Sequence, residues 1–154
     1  MRRGARIERP RSEPKASEAR TSGPGELVPD PRAVAAYDAK IADGFLRANA
    51  SATGLPAFLG IRFAAFEPGL LRAELDVRDE LLTPFKNMHG GVISALCDHV
   101  LGCVCYPHMQ RGQWAATTEF KLNLLAPVTG GKLAAIAEIV SLTRATAVVQ
   151  IRVE

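Results

Sequence analysis

From Pro31 onward the chain switches between two hydrophobic periods. The stretch "PRAVAAYDAKIADGFLRANAS" places Val34, Tyr37, Ile41, Phe45 and Leu46 at helical spacing. It predicts one helix, with Asp30 as its cap and Pro31 at the first helical position. "IRFAAFEPG" and "LLRAELDVRDE" predict two strands joined at Glu67-Pro68-Gly69. In the second, Leu71, Ala73, Leu75 and Val77 alternate with Arg72, Glu74, Asp76 and Arg78, the pattern of a sheet with one wet face. A loop, "LLTPFKN", leads into "NMHGGVISALCDHVLGCVCYP", a nearly all-apolar helix that must end before Pro107. "GQWAATTEFKLNLLAP" predicts a long strand, with Trp114, Ala116, Thr118, Phe120, Leu122 and Leu124 on one face. Thr117, Glu119, Lys121 and Asn123 fall on the other. After the "VTGG" turn, "KLAAIAEIVSLTR" and "ATAVVQIRVE" predict two more strands, the last with Ala147, Val149, Ile151 and Val153 on one face. A helix that is apolar nearly all round, with strands before and after it, implies an α+β fold whose sheet curls about that helix.

Composition changes this picture mainly at the N-terminus. Residues 1–30 are rich in charge, Pro, Gly and Ser and bury too little apolar surface to offset their ordering, so they predict a disordered tail ahead of one domain over 31–154. The net charge of +3 is small, and the basic residues of the tail lack interleaved aromatics, so nucleic acid is excluded as a partner. No continuous 18-residue apolar run is present and the N-terminus lacks a secretory apolar core, so no membrane span is expected. The three cysteines, Cys97, Cys103 and Cys105, fall within nine residues and predict reduced core thiols in a cytoplasmic protein. His89, His99 and His108 have no zinc-ligand spacing with them, so no metal site is expected. His99 is two residues from Cys97, about 200° around a helix, and cannot activate it.

The apolar helix carries the candidate chemistry. His89-Gly90-Gly91 lies at its start, where backbone N–H groups are free and the dipole is positive. Glycine there admits close approach of another molecule, and a free amide can stabilise an oxyanion. Equally, the two glycines could only relieve crowding where the helix enters the sheet. Asp98 is the one carboxylate among Val, Ile, Ala, Leu and Cys, with Ser94 four residues earlier on the same face. It reads either as a hydrogen-bonded or interface carboxylate, or as a general base or nucleophile. Gly90 and Asp98 are separated by about 12 Å along the axis at 1.5 Å per residue. One small carbonyl can hardly meet both groups of one helix, so joint action requires two subunits, with the helix start of one chain against Asp98 of the other in a C2 dimer.

"HGGVISALCD" resembles the His-Gly-Gly signature of hotdog-fold acyl-CoA thioesterases of the phenylacetate-pathway (PaaI-like) type. "ATTEFKLNLLAPVTGGKLAAIAEIV" resembles the part of the pattern that follows, and the likeness spans roughly residues 55–154. The resemblance implies a curved antiparallel sheet around the central helix, a homodimer or dimer of dimers, and hydrolysis of an acyl-CoA thioester without metal or organic cofactor. It implies Asp98 as the catalytic carboxylate, Gly90 as the amide that polarises the carbonyl, and His89 and Thr117 in supporting roles. Gly91, Thr83, Asn87 and Ser94 lie where substrate would bind, and Arg144, more than Arg111 or Lys121, where CoA phosphate would.

Three departures stand out. Thr83 replaces the family's frequent Asn or Gln, with Asn87 out of register, and Lys86 replaces a frequent Gly. The family's sixth strand, which lies between its fifth and third, has no counterpart before Glu154, so the domain reads as truncated at its C-terminus. Thr83 and the missing strand favour the alternative function, a non-catalytic acyl-CoA-binding or structural hotdog subunit, a truncated and inactive homologue.

Overall fold

The computed structural model describes residues 28–154; the predicted tail lies, up to residue 27, outside the described residues. Three short helices come first, α1 (Pro31–Ala36), α2 (Ala39–Asn49) and α3 (Gly54–Leu59). Strands β1 (Arg62–Glu67) and β2 (Leu70–Asp76) follow, then the central helix α4 (Gly90–Cys103), and last β3 (Lys132–Leu142) and β4 (Ala147–Val153). The strands form one antiparallel sheet in the order β1-β2-β3-β4.

The alternation predicted for β2 is observed: Leu71, Ala73 and Leu75 are fully buried while Arg72 and Asp76 are exposed. They join Ala135, Ala137 and Ile139 of β3 in a core that α4 covers with Leu96 and Val100. Burying a Leu or Val side chain stabilises by roughly 1.5–3 kcal/mol, so these contacts hold α4 on the sheet. By length and composition alone the helical stretch Gly90–His108 could cross a bilayer, contrary to the expectation from its sequence. Its apolar residues instead cover the sheet, which accounts for its hydropathy.

The predicted first helix is two helices. Asp38 caps α2 by accepting from Lys40 N and Ile41 N, and its own N–H donates to Pro107 O (2.8 Å), so Tyr37 is drawn into an extended conformation. Asp30 does cap α1, through Arg32 N. It also reaches the sheet: its N–H donates to Ile139 O and its carboxylate accepts from Leu142 N. The predicted turn at Glu67-Pro68-Gly69 forms, and Gly69 takes φ 76°. A Cβ at that glycine would lie 2.5 Å from Pro29 Cβ, so its absence lets the chain before α1 pack on the hairpin.

The long strand predicted over 112–127 does not form; no residue there is in a ladder. Alternation makes a stretch fit for a sheet, but a strand needs a neighbour. The stretch lies across a cleft of about 860 Å³ from β4 with no strand between them among the described residues. Of its predicted inner face only Leu122 packs against the core, while Trp114 remains 75% exposed.

Candidate active site

Helix α4 begins with His89 as its cap. The His89 Nδ1 accepts from Gly91 N (2.9 Å), so Nδ1 is unprotonated and the ring's hydrogen is on Nε2. Gly91's amide is thereby occupied. Val92 N donates to His89 O, and Gly90 N makes no hydrogen bond among the described residues. Of the glycine pair, it is Gly90 whose N–H can meet an incoming carbonyl. A Cβ on Gly90 would lie 2.9 Å from Leu124 Cδ1, so that side chain stands directly over the helix start.

The loop ahead of the helix is tied to itself. Thr83 Oγ1 donates to Asn87 Oδ1 (2.9 Å), Thr83 N donates to Asn87 O (2.7 Å), and Lys86 N donates to Thr83 O (2.9 Å). Lys86 takes φ 62°, a left-handed conformation that favours glycine. The loop keeps its glycine-like shape with a lysine in place, at a conformational cost. The Thr83 hydroxyl is thus committed to Asn87.

Two turns along α4, Asp98 is exposed and accepts no hydrogen bond among the described residues. The premise that it lies in purely apolar surroundings is therefore corrected. It sits at a cavity of about 1040 Å³, together with Thr117, Glu119, Phe45, His99 and Tyr106. Ser94, read as its polar neighbour, instead donates to the helix's own Gly90 O (2.9 Å). The structure thus brings Asp98 and Thr117 together. None of His89, Gly90, Gly91, Thr83, Asn87 and Ser94 lines that cavity. Arg144, exposed in the β3–β4 turn, lines a separate cavity of about 640 Å³ with Trp114.

Four residues at the Asp98 cavity escaped the sequence reading. Glu119 is two positions from Thr117 and so on the same face of an extended stretch, a signal that was present. Phe45 falls on the apolar face of the first predicted helix, and nothing in the sequence sets Tyr106 apart. By its spacing on the helix His99 pairs with Cys103 rather than Cys97. It lies one turn from Cys103, whose Sγ is 3.9 Å from His99 Nε2. Burial lowers the His99 pKa, against a smaller raising effect from Asp98. Burial first, and then neighbouring Cys105, pushes the Cys103 thiol up to about 12. A protonated, buried thiol is no nucleophile, so the three cysteines are core residues, as their spacing suggested.

The model of the thioesterase superfamily matches residues 85–154, the span from the glycine-bearing helix start to the end of β4. The chain is 34% identical over 86 residues to the proofreading thioesterase EntH of Klebsiella pneumoniae, a match over 55% of this chain and 63% of EntH, less than two thirds of that relative. It is 32% identical over 96 residues to a Haemophilus influenzae protein with a provisional esterase name, covering 60% of this chain and 67% of that one. Its fold is that of the E. coli PaaI protein from the phenylacetic acid degradation operon (TM-score 0.65, 22% identity, 73% of this chain and 80% of that one). With a four-stranded antiparallel hotdog sheet against one central helix, the chain belongs to the thioesterase superfamily.

Proposed function

We propose that the protein hydrolyses an acyl-CoA thioester to the free acid and CoA, as a cytoplasmic homodimer or dimer of dimers. The observation that carries this reading is the division of one helix into two chemical ends, a free Gly90 amide at its start and an exposed Asp98 in a cavity with Thr117. With about 12 Å of helix between them, two antiparallel copies of α4 bring each Asp98 to the other's Gly90.

Asp98 of one protomer takes a proton from water, and the water oxygen adds to the thioester carbonyl carbon. The charge developing on the carbonyl oxygen is met by the partner's Gly90 N–H, held at the positive end of its helix. Collapse breaks the C–S bond, and the departing thiolate receives the proton from Asp98. Direct attack by Asp98, giving an anhydride that water then opens, has the same balance. Thr117 orients the water or the carboxylate. His89 holds the turn by occupying Gly91's amide, which keeps Gly90 as the donor. Thr83, Asn87, Gly91 and Ser94 shape the helix start against which the substrate rests. Arg144, which lines a cavity with Trp114, would meet a CoA phosphate through its guanidinium.

A second reading, acyl-CoA binding without turnover, draws support from the Thr83 hydroxyl being spent on Asn87. Thiol release from a panel of acyl-CoAs separates the two. Turnover that disappears in Asp98→Asn supports hydrolysis, whereas binding without thiol release supports the second reading.

A further inference from the structure

The start of α4 lies under an apolar side chain. Leu122 and Leu124 share one face of an extended stretch, and Leu122 packs against the core. Further on, Val128 also packs against the core, and its carbonyl accepts from Met88 N (2.6 Å), just ahead of the helix. The backbone that carries Leu124 is thus fixed on both sides, although the side chain itself is exposed. Its end rests on Gly90: a Cβ built there would lie 2.9 Å from Leu124 Cδ1.

The two glycines of the helix start are therefore unlike. A Cβ on Gly91 would meet the His89 ring at 3.0 Å, and that ring already accepts Gly91's N–H. At Gly90 the neighbour is a hydrocarbon, which accepts nothing. The Gly90 N–H makes no hydrogen bond among the described residues, and Gly90 is half-buried where Gly91 is exposed. An amide left free in water is hydrated, and an incoming carbonyl must compete with that water. An amide under hydrocarbon keeps its partial charge for the oxygen on which charge develops. The lower local dielectric makes that attraction larger.

We propose that Leu124 is a positioning residue: it keeps bulk water off the Gly90 amide and so leaves that N–H to the thioester carbonyl. This rests on the hydrolysis proposed above. The exposed side chain turns aside to admit the carbonyl and returns over it. A methyl group at position 90 would stand where the end of Leu124 stands and would keep the amide covered.

The test reads the amide itself and then the reaction. By NMR, exchange of the Gly90 N–H with water is slow for an unbonded amide in the wild type and several-fold faster in Leu124→Ala. Leu125→Ala, at the neighbouring exposed leucine, leaves it unchanged. In thiol release from the acyl-CoA panel, Leu124→Ala lowers kcat about three- to ten-fold with KM little changed, a fraction of the roughly 100- to 1000-fold that an oxyanion donor supplies. Leu124→Met restores it. In a Gly90→Pro background, where no N–H remains to be covered, Leu124→Ala costs nothing further. Exchange unmoved in folded Leu124→Ala, or the same loss of kcat with and without the Gly90 N–H, overturns the proposal while leaving hydrolysis standing. Absence of thiol release from every acyl-CoA overturns hydrolysis and Leu124's part in it, and the exchange measurement then shows only a covered amide.

Discussion

Replacing Gly90 by proline removes one hydrogen atom with little change to the helix. Gly90 is the first residue of α4, the position where proline is most welcome because no intrahelical bond is lost. His89 before it has φ −66° and ψ 129°, the extended conformation that proline requires of its predecessor. The added Cβ meets only Leu124 Cδ1, at 2.9 Å, the far end of a side chain that is 57% exposed and can swing aside. Gly90→Ala makes the same contact and keeps the N–H, so the pair isolates the amide. Loss of one oxyanion donor typically costs about 100- to 1000-fold in kcat. Gly90→Pro is therefore expected to lose about that factor in steady-state thioester hydrolysis, while Gly90→Ala retains most of the activity. Equal losses in the two would point to crowding by Leu124, and activity in Gly90→Pro equal to that of Gly90→Ala would refute the amide's role.

Other consequences follow from single groups. His108 is held neutral, with Nδ1–H donating to Ala33 O (2.8 Å) and Nε2 accepting from Gly69 N (3.3 Å); burial lowers its pKa more than the bond to Ala33 raises it. Its contribution to stability is therefore complete above the unfolded histidine value of about 6.5 and is lost as pH falls through the lower folded value; His108→Gln should flatten that part of a Tm-against-pH profile, and an unchanged slope would count against it. Burial holds the Cys103 thiol near 12 and the Cys105 thiol near 11, so at pH 8 an aromatic disulfide reagent should label neither until the protein unfolds; rapid labelling of the native protein would contradict their burial. Lys86→Gly relieves a left-handed residue and should raise stability by up to about 1 kcal/mol in urea titration, since relief of about 1–2 kcal/mol is partly offset by glycine's entropy. Leu96→Ala, at a fully buried position on α4, should cost about 2–5 kcal/mol.

Much of the frame was legible because its signals are local. The alternation of Leu71, Ala73 and Leu75 with charged residues identifies the inner face of β2, and Asp30 ahead of Pro31 marks a helix start. The break at Tyr37 was not legible, because it depends on Asp38 bonding to Pro107, far along the chain. The stretch over 112–127 shows the limit most clearly: alternation records which face a residue would present, and says nothing of whether a neighbouring strand is there to receive it. For the site, Asp98 and Gly90 stood out as misfits in an apolar helix. Phe45 and Tyr106 look like ordinary core residues in sequence, and only the fold reveals that they reach the Asp98 cavity.

The central claim is that each site joins Asp98 of one protomer to Gly90 of its partner. Mixing Asp98→Asn with Gly90→Pro subunits, after dissociation and reassembly, tests it directly. A mixed dimer then has one site with both groups damaged and one with both intact. Two nearly inactive proteins should together recover about a quarter of wild-type activity at equal mixing, because half of the dimers are mixed and half of their sites intact. If mixed dimers form and no activity returns, the two groups belong to the same chain's site and the account is wrong.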